Sequence, residues 1–180
     1  QAFDDGQWSG GTSRMCYAAS KDGLHWEKPN LGLVDYKGSK ENNIFWDGVG
    51  SHNFTPFLDA NPDCPADAGY KAMGRGQPLS GSSVDKYRHG LYVFQSADGI
   101  HWRLIDDEPV ITKGAFDSQN LAFWHTVSEQ YIDFHRFFNA GVRDIMTCTS
   151  EDFVHWTDPV YVEYADSHKE HMYTNGIIPY

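Results

Sequence analysis

Basic residues are scarce: 14 Lys and Arg stand against 25 Asp and Glu among 180 residues, a formal net charge of −11. Phosphate backbones demand a basic face, so this balance excludes nucleic acid as a partner. Long apolar runs are missing, and so is a signal-peptide pattern, which removes the membrane from the expected partners. Cysteine is nearly absent. Cys16, Cys64 and Cys148 show no Cys-x-x-Cys spacing, and an odd count leaves at least one thiol unpaired. A buried thiol is the plain reading of Cys16 and Cys148, and the compartment stays open. What the chain has in quantity is aromatic residues, 15% of the total, whose large apolar area suits the filling of sheet cores.

It also has a repeat. Ser20-Lys-Asp22-Gly23-Leu-His25-Trp26 recurs as Ser96-Ala-Asp98-Gly99-Ile-His101-Trp102, and again as Ser150-Glu-Asp152-Phe153-Val-His155-Trp156. Each copy follows a strand-like run (14–19, 91–95, 145–149) and precedes a further extended run. Asp-Gly suits a tight turn with positive φ, Ser and Asp side chains cap its free amides, and the Trp packs across the hairpin. A second repeat lies between the hairpins: His52-Asn53, Gln119-Asn120 and Thr174-Asn175 each open an apolar run of strand length. Repeated sheets of this kind predict an all-β protein, a β-propeller of which this chain supplies about two full blades and two partial ones.

The expected division is 1–36 as the outer half of a blade, 50–112 as a blade, 117–165 as a blade and 170–180 as the start of the next. The strands expected in the two full blades are 53–59, 70–74, 90–96 and 101–111, then 120–125, 131–138, 142–150 and 155–164. Such a ring hides its edges only when complete. The expectation is therefore a piece of a larger protein, with the remaining blades, or a partner chain, closing the ring.

Blade topology sorts residues by face. The start of a first strand and the start of a third lie on one face, and the signature hairpins lie on the other. Asp22, Asp98, Asp152, His25, His101 and His155 are thereby read as turn residues. Asp117 before the strand at Asn120, Asp144 at the start of a third strand, and Glu170 before the strand at Asn175 fall on the channel face. Two carboxylates flanking a bond, one protonated and one ionised, are the minimum machinery of glycoside hydrolysis, and a third can tune the pair. His52, Asn53, Gln119, Asn120, Thr174, Asn175, Arg143 and His171 would line the same rim and grip sugar hydroxyls. The repeated Asn has a structural alternative, bonding one blade to the next. The Gly- and Ser-rich connection 75–89 crosses this face and would wall the site.

The arrangement resembles the five-bladed propeller glycoside hydrolases, the clans that hold invertases, fructosidases, arabinanases and β-xylosidases. The resemblance implies an Asp nucleophile or base, a second Asp that orients and tunes, and a Glu general acid. Arg143-Asp144 resembles the Arg-Asp-Pro element of the fructosidases, with Ile145 in place of Pro. Asp117-Ser-Gln-Asn120 resembles their Asn-Asp-Pro-Asn element without the first Asn and the Pro. Glu170-His171 resembles their Glu-Cys element in the Glu alone. A carbohydrate substrate, no cofactor and a secreted or periplasmic setting follow from the resemblance.

Alternatives stand beside it. A sialidase-like propeller has similar hairpin boxes, but needs three arginines and a Tyr nucleophile; Arg143 and one of Arg75 or Arg88 reach the correct face. A non-catalytic propeller binding carbohydrate or protein is the reading from a different class. Asp59, Asn61 and Asp63 offer oxygens at alternate positions, as calcium loops do, without the glycine and the distal Glu of an EF-hand; a Pro-stiffened loop is the plainer reading. His125 and His135 on neighbouring strands lack a convincing third ligand, and no metal site is expected.

Overall fold

The computed structural model describes residues 2–3, 13–76 and 89–179. In chain order the strands are β1 (Ala2–Phe3), β2 (Ser13–Cys16), β3 (Ala19–Ser20), β4 (Trp26–Glu27), β5 (Ile44–Trp46), β6 (His52–Leu58), β7 (Tyr70–Gly76), β8 (Gly90–Ser96), β9 (Arg103–Leu104), β10 (Leu121–His125), β11 (Gln130–Asn139), β12 (Val142–Ser150) and β13 (Val160–Tyr161). A 3-10 turn at Ala66–Ala68 is the one helical element among the described residues, and none of their helices could cross a membrane. The protein is all-β.

Two antiparallel four-stranded sheets, β6-β7-β8-β9 and β10-β11-β12-β13, form the bulk. Each runs straight through in chain order, as short connections between antiparallel strands require. The central strands are apolar on both faces, and the reason is visible at β8. Leu91 and Val93 enter a core shared with Phe116, Trp124, Tyr131 and Cys148 of the following sheet. Their neighbours Tyr92 and Phe94 alternate to the other face and pack with Val49 and Phe54, with Met15, Phe45 and Trp46 against them. Sheets thus stack face to face in sequence. Gly74 permits the closest approach: a Cβ there would stand 2.3 Å from the Gly50 carbonyl oxygen.

The fourth strands are shorter than the sequence leads one to expect. β9 and β13 keep two residues each, because Pro109 and Pro159 lack an N–H to pair and the 106–108 stretch is acidic. The outer chains still track the third strands through scattered bonds, among them Val110 N–H to the Leu91 carbonyl (2.8 Å), Leu91 N–H to the Ile111 carbonyl (2.8 Å) and Val162 N–H to the Ile145 carbonyl (2.9 Å). The first sheet differs more. β2 pairs with β1 and, past a bulge, with β5, a strand the sequence leaves unassigned. No strand forms within 162–179, where one is expected to open at Asn175; that backbone meets β12 through isolated bonds such as the Met172 N–H to the Arg143 carbonyl.

All three signature hairpins close in the same way. In the second, Ser96 Oγ accepts the Asp98 and Gly99 amides, Asp98 Oδ1 accepts those of Ile100 and His101, and Asp98 Oδ2 meets the His101 ring at 2.7 Å. The Trp102 indole N–H donates to the Gly99 carbonyl at 2.9 Å. Phe153 stands in the glycine position of the third copy at φ +69, beside +76 and +75 for Gly23 and Gly99. Trp102 is buried and Trp156 partly so, but Trp26 is 61% exposed because no described sheet covers its two-residue strands. Asp98→Ala should lower stability by about 1–2 kcal/mol, the loss of a side chain capping two amides. Chemical denaturation checks it, and Asp98→Asn should lose less.

Between the two large sheets lies a polar knot. Lys71 on β7, 7% exposed, donates to Asp59, which is fully buried. The same Asp59 Oδ2 accepts from the Tyr131 hydroxyl of β11 at 2.7 Å, and Oδ1 accepts the Asn61 amide at 3.0 Å. Both oxygens of Asp59 are therefore engaged, and the cation they hold is the Lys71 ammonium. Burial pushes the Tyr131 phenol up from 10.0 to about 12, with the hydrogen bond to Asp59 adding to it. A group raised on folding stabilises the fold below its unfolded value and loses that contribution as pH climbs through the folded one. Stability should therefore fall by about 2–3 kcal/mol between pH 10 and about 12. Urea midpoints across that range, with Tyr131→Phe making the slope shallower by that amount, are the check.

Candidate active site

Antiparallel pairing brings the start of β10, the end of β11 and the start of β12 to one end of the last sheet. The segment 171–173 runs alongside, fixed by the Met172 N–H to the Arg143 carbonyl (2.8 Å) and by the Arg143 N–H to His171 Nδ1 (3.1 Å). Asp117, Asp144, Glu170, Arg143 and His171 all belong to this end.

The three carboxylates do not share one space. Asp144 and Glu170 line a cavity of about 460 Å³ with Asn139, Val142, Tyr164 and Met172. Asp144 is oriented from two sides: Asn139 Nδ2 donates to Oδ2 at 2.9 Å, and the Ile145 amide donates to Oδ1 at 2.8 Å. Arg143 and Asp144, being consecutive in a strand, face opposite sides of the sheet and do not pair with each other. Glu170 is exposed.

Asp117 stands outside that cavity, hydrogen-bonded to Arg136 of β11, whose side chain is 2% exposed while that of Asp117 is 49% exposed. Burial works against the charged carboxylate, but the Arg136 hydrogen bond and charge, reinforced by Arg75, outweigh it and hold Asp117 below its ordinary value. His52 belongs to the same group: burial and the nearby Arg75 lower its imidazole, and Asp117 opposes them. Arg136 also donates to the Tyr173 carbonyl at 3.1 Å and lies over the Tyr173 ring at 5.0 Å; Arg143 covers that ring at 5.4 Å. Buried Nε atoms of Arg75, Arg136 and Arg143 have no hydrogen-bond partner among the described residues.

The repeated Asn side chains bind backbone carbonyls: Asn53 and Asn175 reach distant segments, and Asn120 braces its own connection. Asn53, in the left-handed region at φ +51, donates to the Phe116 carbonyl, and Asn120 donates to the Phe116 and Ser118 carbonyls, each at 3.1 Å. Asn175 donates to the Gln119 and Phe134 carbonyls at 3.3 Å. Asn120 is fully buried, so its side chain reaches backbone rather than a ligand. Asn53, Gln119, Thr174 and Tyr173 line a second, more open hollow of about 590 Å³. Residues 77–88, the centre of the expected wall and the location of Arg88, lie outside the described residues.

Sequence reasoning missed Arg136 and Tyr173. The signal for the first was present: Arg136 sits among the aromatic residues Phe134, Phe137 and Phe138 of one strand, and a buried charge needs a partner. Nothing in the sequence marks Tyr173, which acquires its place from the backbone of β12.

No protein-family model matches the chain, and no curated protein matches it. Among solved structures it is similar to a "putative glycoside hydrolase" from Parabacteroides distasonis, at 19% identity over 79% of this chain and 41% of that one, with a TM-score of 0.42. It is similar also to a glycosyl hydrolase from Bacteroides ovatus, at 17% identity over 87% of this chain and 41% of that one, with a TM-score of 0.43. The chain spans about two-fifths of the length of these proteins.

Proposed function

We propose that this chain carries the carboxylates of a β-propeller glycoside hydrolase, five-bladed when complete, that removes a terminal sugar from a glycan. The observation that carries the reading is the single cavity lined by both Asp144 and Glu170, since two carboxyl groups about one space are what glycosidic cleavage requires. Glu170 protonates the leaving oxygen. Asp117, kept charged by Arg136 at the same end of the sheet but outside that cavity, is assigned as nucleophile or base, reaching the sugar once the remaining blades complete the pocket, and Asp144, held by Asn139, orients the pair. His52, Gln119, Arg143 and His171 contribute polar contacts around them. The remaining blades complete the sugar pocket, and a secreted or periplasmic setting suits a glycan substrate.

A sialidase-like reading gains one specific observation: Arg136 and Arg143 both flank Tyr173, with Arg75 near Asp117. Arginines so grouped suit a carboxylated sugar.

The test is a screen of the full-length protein against neutral and acidic glycans, with Glu170→Gln in parallel. Sugar release that depends on Glu170 supports the reading, and release from acidic glycans alone selects the second form. Binding of glycan without release, unchanged by Glu170→Gln, would replace both with a binding module.

A further inference from the structure

Away from that end of the sheet, Asp133 and His135 on β11 and Cys148 on β12 meet in a place with no exposure to solvent. Asp133 and Cys148 are direct cross-strand partners, and His135 is two residues further along the same face. Asp133 and His135 are 0% exposed and Cys148 is 3% exposed. One ligand atom from each, imidazole nitrogen, carboxylate oxygen and thiol sulfur, lies within 4.8 Å of the other two. Ligands of one tetrahedral ion with bonds of about 2.0–2.3 Å stand about 3.3–3.8 Å apart, so a shift of about 1 Å brings the three atoms around a common centre.

Proton accounting points to a cation. His135 Nε2 lies 3.0 Å from the Lys113 carbonyl, which only accepts, so Nε2 carries the hydrogen. On a neutral ring Nδ1 is then a lone pair, and it faces Asp133 Oδ2, an acceptor when ionised. Two acceptors in contact need a proton between them, or must part slightly to share a metal ion. A proton satisfies that contact alone. It leaves Asp133 Oδ1 buried without a partner, and Cys148 Sγ at 3.7 Å from Oδ2. A divalent ion held by thiolate, carboxylate and neutral imidazole brings two positive charges against two negative ones, the balance that a site without solvent requires.

We propose that Asp133, His135 and Cys148 supply three ligands of a buried zinc site. A thiolate beside an imidazole selects zinc over the hard cations calcium and magnesium. The His135 N–H on the Lys113 carbonyl is the outer contact that fixes the tautomer of a metal-binding histidine. The ring is also walled in. Phe116 lies 5.2 Å away, and a Cβ at Gly114 would stand 2.8 Å from the imidazole, so Nδ1 is held in place by packing. Burial raises Cys148, with Asp133 adding to it, and burial raises Asp133 against the pull of His135. Zinc binds the thiolate and the carboxylate, so its entry releases any protons these two groups carry.

Cobalt reports the site. The full-length protein, stripped with chelator and titrated with Co²⁺, should develop thiolate-to-cobalt absorption that saturates at one ion per chain and disappears on adding Zn²⁺. Zinc should raise Tm, and chelator should reverse the rise. Cys16→Ser/Cys64→Ser keeps the absorption, because Cys148 is then the sole thiol of this chain. Cys148→Ala loses it, and loses zinc affinity by more than about 100-fold, beyond the effect of removing an outer contact. Absence of cobalt absorption in the wild type, with Tm indifferent to zinc, overturns the site and leaves a proton shared by Asp133 and His135. Absorption lost in Cys16→Ser/Cys64→Ser overturns it too, by placing the metal elsewhere.

Discussion

Glu170→Gln should reduce sugar release by about 10²–10⁴-fold, the range that a positioned general acid contributes. Gln keeps the shape and the hydrogen bonding of Glu but has no proton to give. The loss should therefore depend on the leaving group. Glycans that depart as alkoxides need the proton and suffer most, whereas activated aryl glycosides leave as stable phenolates and should be largely spared. The fold should not register the change, because Glu170 is exposed on a segment without strand, where substitutions shift stability by no more than about 0.5 kcal/mol. Glu151→Gln, on an exposed hairpin, is the control that keeps full activity. Equal losses on alkyl and aryl substrates would count against Glu170 as the acid.

Lys71→Met should cost about 3–5 kcal/mol, the penalty for leaving one member of a buried ion pair without the other. The side chains occupy similar volumes, so the cost is electrostatic rather than a cavity. Asp59 would keep the Tyr131 hydroxyl and the Asn61 amide but lose its counter-charge at a position with no solvent. Burial pushes Asp59 up, and the Lys71 hydrogen bond, with those of Asn61 and Tyr131, pulls it down further, so its net value is lowered. Its contribution is therefore present above the ordinary carboxylate value and lost as pH falls through the lower folded one. The gap between wild type and Lys71→Met should narrow in that acidic window, where Asp59 can take a proton. Asp59→Asn/Lys71→Met removes both charges and should recover much of the loss. A deficit under about 1 kcal/mol at neutral pH would show that the knot is solvated in practice.

Local chemistry was legible in the sequence, and distant chemistry was not. The Ser-x-Asp pattern announced its turns because every bond in it is made within three residues; Asp98 needs only Ser96 and the amides of Ile100 and His101. The run Leu91–Phe94 announced a strand covered on both faces because no polar residue interrupts it. Ile44–Trp46 gave no such notice, being three residues whose pairing with β2 requires a bulge. Asp117, Asp144 and Glu170 were expected on one channel face, Glu170 before the first strand of the next blade; the three lie toward one end of the β10–β13 sheet, and no strand follows Glu170 among the described residues. Which of them share a cavity depends on Arg136, 19 residues from Asp117, and on where 161–172 folds back. Asp133 and Cys148 lie 15 residues apart and meet only because the β11–β12 register makes them opposite partners.

Phe153 gives the three hairpins different uses in the laboratory. Its ring is fully buried among Phe57, Tyr131 and Trp156, so the tip of the third hairpin is part of the seam between two sheets. The first hairpin has the same backbone and no such duty: nothing lies within 4 Å of where a Cβ would sit at Gly23, and Leu24 is 80% exposed. A fluorophore, an affinity tag or a grafted recognition loop belongs at the first tip, where it meets only water; spliced into the third, the same insert would pry the sheets apart.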